Sequence, residues 1–497
     1  MNNSAGNGSS AGDSLLIVSI SLAIFMSSLD GTIVNIALPA ISESFGISSS
    51  TVSWVATAYL LVMAGCVLIF GKVSDMIGFR KIFLWGFVIF TVGSFACGLL
   101  PDLFHSFLML VGSRAFQAIG GAMMTAIAPA MVTAYIPMEK KGKAMGIIMT
   151  VAALGMAIGP TIGGALTQFL SWHWIFFINV PVGIVAVLLG AKVIPAPGSS
   201  QRIAGFDSTG AALIFTGLAA LLFSVSEGDA FGWTSPCIVG GFVIAVLTLG
   251  GFVRHELKTE DPLLELRLFS NKNFLVTNLI MALIFFSFAG VNYLLPFYLK
   301  YVQGYDTSTT GLILTALSFA MMAGGICAGM LYNKTGGRPL CIAAGIILAA
   351  GYYMMIHLRV NTTTEFVILS LIVIGLGLGL LVTPIANMIM NSVSKKYQGM
   401  VSSLTSLERF APMTLGIAIS NLIFVQGMAV IAAHRGITQS TPQAIQLKVL
   451  TAGFDLAFLW TFIFGIVILA LACIARQEIH PDYLSGDDSG DTMTGMI

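Results

Sequence analysis

The chain has 497 residues, of which 57% are hydrophobic and only 9% charged, and its formal net charge is +1. Soluble domains carry roughly 25% charged residues, so water cannot be the main solvent of this protein. The near-cancellation of basic and acidic residues argues against a nucleic-acid partner. The six cysteines (Cys66, Cys97, Cys237, Cys327, Cys341, Cys473) all sit in or beside apolar runs without a CxxC spacing. They read as small buried apolar side chains, not as metal ligands or disulfides. The six histidines are scattered without an HExxH-like pair, so no metal is expected.

Residues 1–13 are small and polar, which reads as a disordered leader and not as a basic signal-peptide start. A membrane span needs roughly 20 apolar residues. Such runs fall near 14–41, 51–71, 81–100, 104–135, 143–170, 174–194, 207–226, 236–253, 273–301, 309–332, 339–358, 365–391, 399–425 and 453–475. None alternates with period two, so a β-barrel is excluded. The expected fold class is an all-α polytopic membrane protein with fourteen spans. The polar, acidic 476–497 reads as a cytoplasmic tail.

Basic residues set the orientation. With the N-terminus inside, the inner loops hold Lys72, Arg80, Lys81, Lys140, Lys141, Lys143, Lys192, Arg202 and most of the later basic residues. The outer loops hold only Lys300, Arg359, Arg435 and Lys448. That asymmetry places both termini in the cytoplasm. Two loops also repeat. Gly71-x3-Asp75-x2-Gly78-x-Arg80 follows the second helix, and Gly329-x3-Asn333-x2-Gly336-x-Arg338 follows the tenth. Lys140-Lys141-Gly142 after the fourth helix is matched by Lys395-Lys396 and Gly399 after the twelfth. The expected organisation is a six-helix bundle over 14–194, an inserted pair of helices within 195–272, and a second six-helix bundle over 273–475. Parallel halves of this kind enclose a substrate path in transporters.

Several stretches carry a family resemblance. They are Leu29 to Pro39 in the first helix, Trp54 to Leu61 in the second and the Gly71 to Lys81 segment. Further along come Arg114-Ala115-Phe116-Gln117, then Gly155-x3-Gly159-Pro160-x2-Gly163-Gly164, then Trp172 to Gly183, with Pro262 to Phe269 and Pro296 to Gly304 beyond. At these residues nearly the whole chain resembles the major facilitator superfamily, specifically its fourteen-helix drug–proton antiporter branch. Met76 and Phe79 stand where that pattern has basic residues, Ala118 where it has glycine, and His173 where it often has arginine. The resemblance implies two six-helix bundles plus two inserted helices and export of small amphipathic compounds at the cell membrane. It also implies drive from a proton gradient without a cofactor, and a working monomer. Gly71, Asp75, Gly78 and Arg80 would form the gating loop, and Gly155, Gly159, Pro160, Gly163 and Gly164 the antiporter motif.

The residues allow paired readings. Asp30 stands mid-helix in the first span, where a charge costs about 2.5–3.5 kcal/mol. It is either a proton carrier or a hydrogen-bond acceptor for Thr32 or Asn35. Glu408, beside Arg409 in the thirteenth span, binds a proton or cation, or else balances local charge. The two neighbours diverge by roughly 100° around the helix and do not readily pair. Arg114 either modulates a nearby carboxylate or serves as a hydrogen-bond hub. Asp75 is a conformational latch or a solvated loop charge. The Gly155–Gly164 run packs two helices closely, and Pro160 removes one backbone bond within it. Asn35, Tyr59, Gln117 and Met123 are the candidates for the substrate cavity, in a wall softened by methionine and phenylalanine.

The function expected is multidrug-type proton-coupled efflux by alternating access, with export of an endogenous lipid, siderophore or metabolite as the alternative. A membrane-embedded transferase would need clustered Asp, His or Cys at one membrane face, and a channel a pore loop or charged ring. Neither is visible in the sequence.

Overall fold

Within a bilayer every backbone polar group must be paired inside its own segment, so the long apolar runs fold as helices. The computed structural model describes residues 6–136, 138–195, 207–259, 262–394, 397–434 and 443–481. Among these residues 14 helices are long and apolar enough to cross a membrane, and there is no strand. They are α1 (Gly6–Phe45), α2 (Trp54–Ile77), α3 (Phe79–Phe104), α4 (Phe107–Tyr135), α5 (Met138–Phe169), α6 (Asn179–Val193, whose span begins with the short helix Trp174–Phe177) and α7 (Ser208–Phe231). After them come α8 (Pro236–Glu256), α9 (Lys272–Tyr301), α10 (Thr307–Thr335), α11 (Gly337–Met355), α12 (Thr364–Asn391), α13 (Gln398–His434) and α14 (Gln443–Ile474).

The ends differ from the sequence expectation wherever polar residues extend a helix past its apolar run. α1 is already helical at Gly6, inside the stretch read as a leader, and α13 and α14 are longer at their outer ends. The larger correction concerns the segment from Gly71 to Lys81, expected as a loop. α2 continues through Lys72 to Ile77, and α3 begins at Phe79. The break is one residue, Gly78, at φ +91°. Gly336 makes the same break between α10 and α11 at φ +76°. Both conformations lie in the region that only glycine enters without strain.

The repeat extends to packing. α1 packs on α5 as α9 packs on α13, and α2 on α4 as α10 on α12. Likewise α3 packs on α4 and α6 as α11 packs on α12 and α14. The two arginines of the repeated segment also act alike. Arg80 Nη2 donates to the Ala191 carbonyl at 2.7 Å and Arg338 Nη2 to the Cys473 carbonyl at 2.8 Å. Each guanidinium thus satisfies a terminal carbonyl at the negative end of the last helix in its set of six. Lys395 and Lys396, part of the other repeated loop, lie outside the described residues, as do the side chains of Asp75 and Asn333.

The two sets meet along two seams, α5 against α10 and α2 against α13. α7 and α8 pack on each other, and α7 lies over the α2–α13 seam, touching both helices. The Phe215 ring of α7 fills the space beside Gly65. The Trp54 indole donates to the Glu227 carboxylate, and its ring meets Phe223 at 6.4 Å. At the outer end the halves are tied shut. Lys300 Nζ pairs with Glu43 at 2.7 Å, the Tyr293 hydroxyl donates to the Ser49 carbonyl at 2.6 Å, and Asn421 Nδ2 donates to Ser50 Oγ at 2.9 Å.

Candidate functional site

Asp30, on α1, is completely buried and meets Arg114 of α4, whose Nη1 lies 2.7 Å from Asp30 Oδ2. One turn along α4, Gln117 Nε2 donates to Asp30 Oδ1 at 3.1 Å, while its Oε1 accepts from Arg114 Nη1 at 2.6 Å. Residues three apart on a helix share a face, which is why these two reach one carboxylate. Asn179 Nδ2, at the start of α6, stands 3.4 Å from Asp30 Oδ1 and 3.0 Å from Ser94 Oγ. Ser94, on α3, also accepts from Gln117 and donates to the Phe176 carbonyl. Arg114 Nε donates to the Val55 carbonyl at 3.2 Å, and its guanidinium lies 4.0 Å from the centre of the Tyr59 ring. Five spanning helices therefore converge on one ion pair, with both carboxylate oxygens satisfied. A buried pair persists only with this degree of hydrogen bonding.

Asp30 and Arg114, named from sequence as separate groups, are thus one unit, and Gln117 belongs to it. The suggestion that Asp30 is held by Thr32 or Asn35 is corrected. Thr32 Oγ1 donates instead to the carbonyls of Ser28 and Leu29. Ser94, Asn179 and the Val55 carbonyl were not anticipated. Asn179 lies within the Trp172–Gly183 stretch that carried the family resemblance, whereas nothing in the sequence marks Ser94.

Two small cavities, about 50 Å³ and about 10 Å³, lie between the halves and share Gly31, Tyr59, Leu60 and Met413 in their walls. Of the residues named for a substrate cavity, Tyr59 and Asn35 line this centre. Gln117 and Met123 do not. Gln117 is bound to the ion pair, and Met123 faces α3, where a Cβ added to Gly86 would lie 3.1 Å from its own Cβ. The methionines at the centre are Met156 and Met413.

Glu408 and Arg409 part company, as their 100° divergence requires. Arg409 lines the larger central cavity, with Nη2 3.6 Å from Met156 Sδ and its guanidinium 5.7 Å and 5.6 Å from the Phe285 and Phe410 ring centres. Glu408 lines none of the cavities described. It is 9% exposed, and its Oε2 is buried with no hydrogen-bond partner among the described residues. Of Asp30, Arg114 and Glu408, named together from the sequence as coupling candidates, the structure joins the first two in one ion pair and does not bond Glu408 to them.

The glycines of the fifth-helix motif look two ways. An added Cβ would lie 2.9 Å from the Phe25 carbonyl oxygen at Gly155, 3.1 Å from Thr32 Cβ at Gly159 and 2.8 Å from the Ile33 carbonyl oxygen at Gly163. Those three residues press on α1. Gly164 faces α10 instead, where a Cβ would meet the Thr307 carbonyl oxygen at 2.6 Å. Pro160 lies inside the helix between them, and the Thr161 and Thr315 hydroxyls bridge the seam at 2.5 Å.

Two sets of six helices in parallel order, sealed at the outer end around a small polar centre, make this a polytopic membrane transporter. The family model described as Major Facilitator Superfamily matches residues 20–417, and the chain belongs to that family. Its relatives include Riboflavin transporter RibZ of Clostridioides difficile (strain 630), 33% identical over 83% of this chain and 89% of the relative. Multidrug transporter protein MdtP of Bacillus subtilis (strain 168) is 32% identical over 81% of this chain and 74% of the relative. Puromycin resistance protein pur8 of Streptomyces alboniger is 30% identical over 93% and 90%. Among solved structures, a bacterial homologue of the human lysosomal transporter Spinster shares the fold, with a TM-score of 0.63 at 17% identity over 93% of this chain and 96% of that one.

Proposed function

We propose that this protein is a proton-coupled exporter of small amphipathic compounds in the cell membrane, working by alternating access. Relatives named for multidrug transport and antibiotic resistance support efflux. The observation that carries proton coupling is the contrast between two buried acids. Asp30 has three hydrogen bonds to hold its charge, one of them from the Arg114 guanidinium. Glu408 Oε2 has no partner among the described residues, and an uncompensated buried charge costs several kcal/mol. A proton carried inward by Glu408 removes that charge, so Glu408 is the coupling acid and the Asp30–Arg114 pair braces the N-terminal set of helices.

The central cavity also suggests what is carried. Among the described residues, the charged side chains in its walls are Arg409 and Arg114, and Arg114 is paired with Asp30. Neutral or anionic amphiphiles suit such a centre better than cations do.

Inverted vesicles with an imposed pH gradient provide the test. Glu408→Gln keeps shape and removes titration, so it should bind substrate yet fail in gradient-driven uptake. Asp30→Asn should instead lower the amount of folded protein. Uptake by Glu408→Gln at the wild-type rate across the gradient would remove Glu408 from the coupling step.

A further inference from the structure

Asp207, the cap of α7, and Glu256, the last residue of α8, meet at the cytoplasmic ends of the inserted pair. The Asp207 side chain is 6% exposed and Glu256 3%. Asp207 uses Oδ1 alone for its donors, the Gly210 N–H and His255 Nε2, each at 2.8 Å. Glu256 uses Oε2 alone, accepting from the Leu264 N–H at 3.1 Å. The other two oxygens, Asp207 Oδ2 and Glu256 Oε1, are buried and meet no donor among the described residues. They converge on one point. A Cβ added to Gly210 would lie 2.5 Å from Glu256 Oε1 and would strike Asp207 Oδ2 as well. The two carboxyl groups stand within hydrogen-bonding reach of each other.

Two ionised carboxylates are acceptors only and cannot bond each other. Their like charges also repel where little water screens them. One proton answers both difficulties, because it turns an acceptor into a donor and removes one charge. Its place follows from the remaining bonds. The Gly210 N–H and His255 favour the charged form of Asp207, so the proton rides on Glu256 and its O–H donates to Asp207 Oδ2. Neighbouring charges offer no substitute. Arg254 and Lys258, on either side of Glu256 in the chain, are exposed. Glu265 and Arg267 pair with each other at 3.9 Å. The α13 residue against this segment is the uncharged Met400. Among the described residues the ion pair to these acids is that of His255, and neither Lys72 of α2 nor Lys272 of α9 joins it.

The pair also sits at a joint. The Glu256 bond fixes Leu264, which is buried beside Leu263. The next residue, Glu265, donates its N–H to Met400 Sδ of α13 at 3.0 Å. The acid that carries the proton therefore holds the chain leading from the inserted pair into the second set of six helices. We propose that Asp207 and Glu256 bind one cytoplasmic proton between them, and that this proton clasps the connection at Leu264 to the inserted pair. When the proton leaves, the two charges push the Glu256 carboxylate aside, the Leu264 bond is lost and the connection loosens where it docks on α13. This site is distinct from Glu408 and is read without any transport measurement.

Infrared difference spectroscopy of the full-length protein in lipid nanodiscs, between about pH 6 and about pH 9, provides the first test. At the lower pH the wild type should show a carboxylic-acid C=O band that Glu256→Gln lacks, and the band should fade toward the higher pH. Asp207→Asn keeps the cap and places a donor against Glu256, so it should move the loss of that band to lower pH. Hydrogen exchange at the Leu264 amide, corrected for the intrinsic rate at each pH, provides the second. It should quicken several-fold across the range in the wild type. In Glu256→Gln, whose amide donates to Asp207 at every pH, it should stay flat. A spectrum unchanged by Glu256→Gln would overturn the proposal. So would a flat exchange profile in the wild type, or the same pH response of Leu264 in both proteins.

Discussion

Asp30 and Glu408 are both acids buried in spanning helices, and the chain surrounds them in opposite ways. Asp30 draws partners from α4 and α6, whereas Glu408 has none among the described residues. Sequence revealed that both acids are embedded, because a charge in an apolar run is expensive wherever it stands. It could not reveal which one is paired, because Arg114 and Asn179 come from helices that only the fold brings together. A third acid is open to measurement outside the spans. Asp207 caps α7, accepting from the Gly210 N–H at 2.8 Å, and its Oδ1 lies 2.8 Å from His255 Nε2. Burial pushes its carboxyl up, but the Gly210 and His255 bonds, with Glu256 beside them, outweigh that and hold it below the usual carboxylate range. A folded-state value lowered in this way adds stability above the unfolded value of about 3.9, and the addition is lost as pH falls through the lowered folded value. Asp207→Ala also removes a helix cap, typically worth about 1 kcal/mol. The variant should unfold at a lower temperature than wild type at pH 7, and the difference should shrink below about pH 4. Thermal unfolding of the detergent-purified protein at the two pH values checks this, and identical transitions at pH 7 would show that the cap carries no stability.

Elements were easier to read than their ends. Each apolar run became a helix, yet the Gly71–Lys81 segment passed for a loop because Lys72 and Asp75 end the apolar run while the helix continues. Helical hydrogen bonds do not need apolar side chains once the chain leaves the hydrocarbon. The sequence feature that mattered was Gly78, repeated at Gly336, since a positive φ stops a helix more surely than polarity does. The fifth-helix motif shows the complementary case. Its glycines read as a packing surface, but the division between α1 and α10 followed only from the fold. Gly159→Leu tests the α1 side of that division. Overpacking typically costs about 1–3 kcal/mol, and here the neighbour is Thr32, whose hydroxyl is committed to the Ser28 and Leu29 carbonyls. The variant should lose gradient-driven transport, with proton leak wherever folded protein survives. Wild-type turnover at wild-type abundance would mean that the α1–α5 ridge yields freely.

For the molecule as a whole, the two seams are not equivalent. The inserted α7–α8 pair lies over α2–α13, and among the described helices no added pair covers α5–α10 in the same way. Both seams lead to the outer end, where the ties from Lys300 to Glu43, Tyr293 to Ser49 and Asn421 to Ser50 cross from one half to the other. Alternating access requires those ties to break in every cycle, because the site must face each side of the membrane in turn. Exposed ion pairs are individually weak, about 0–1 kcal/mol, and the Glu43 side chain is 54% exposed. Lys300→Ala should therefore leave transport nearly intact. A covalent tie at the same place should not. Joining Glu43→Cys to Lys300→Cys with a short bismaleimide holds the outer ends together whatever the proton gradient does. Transport in vesicles should then stop, while each single-cysteine variant treated with the same reagent continues. The single variants also control for the exposed native thiols Cys237, Cys327 and Cys473. Full transport by the crosslinked double variant would mean that the halves do not separate at Glu43 and Lys300, and that the outward opening lies elsewhere on the outer face.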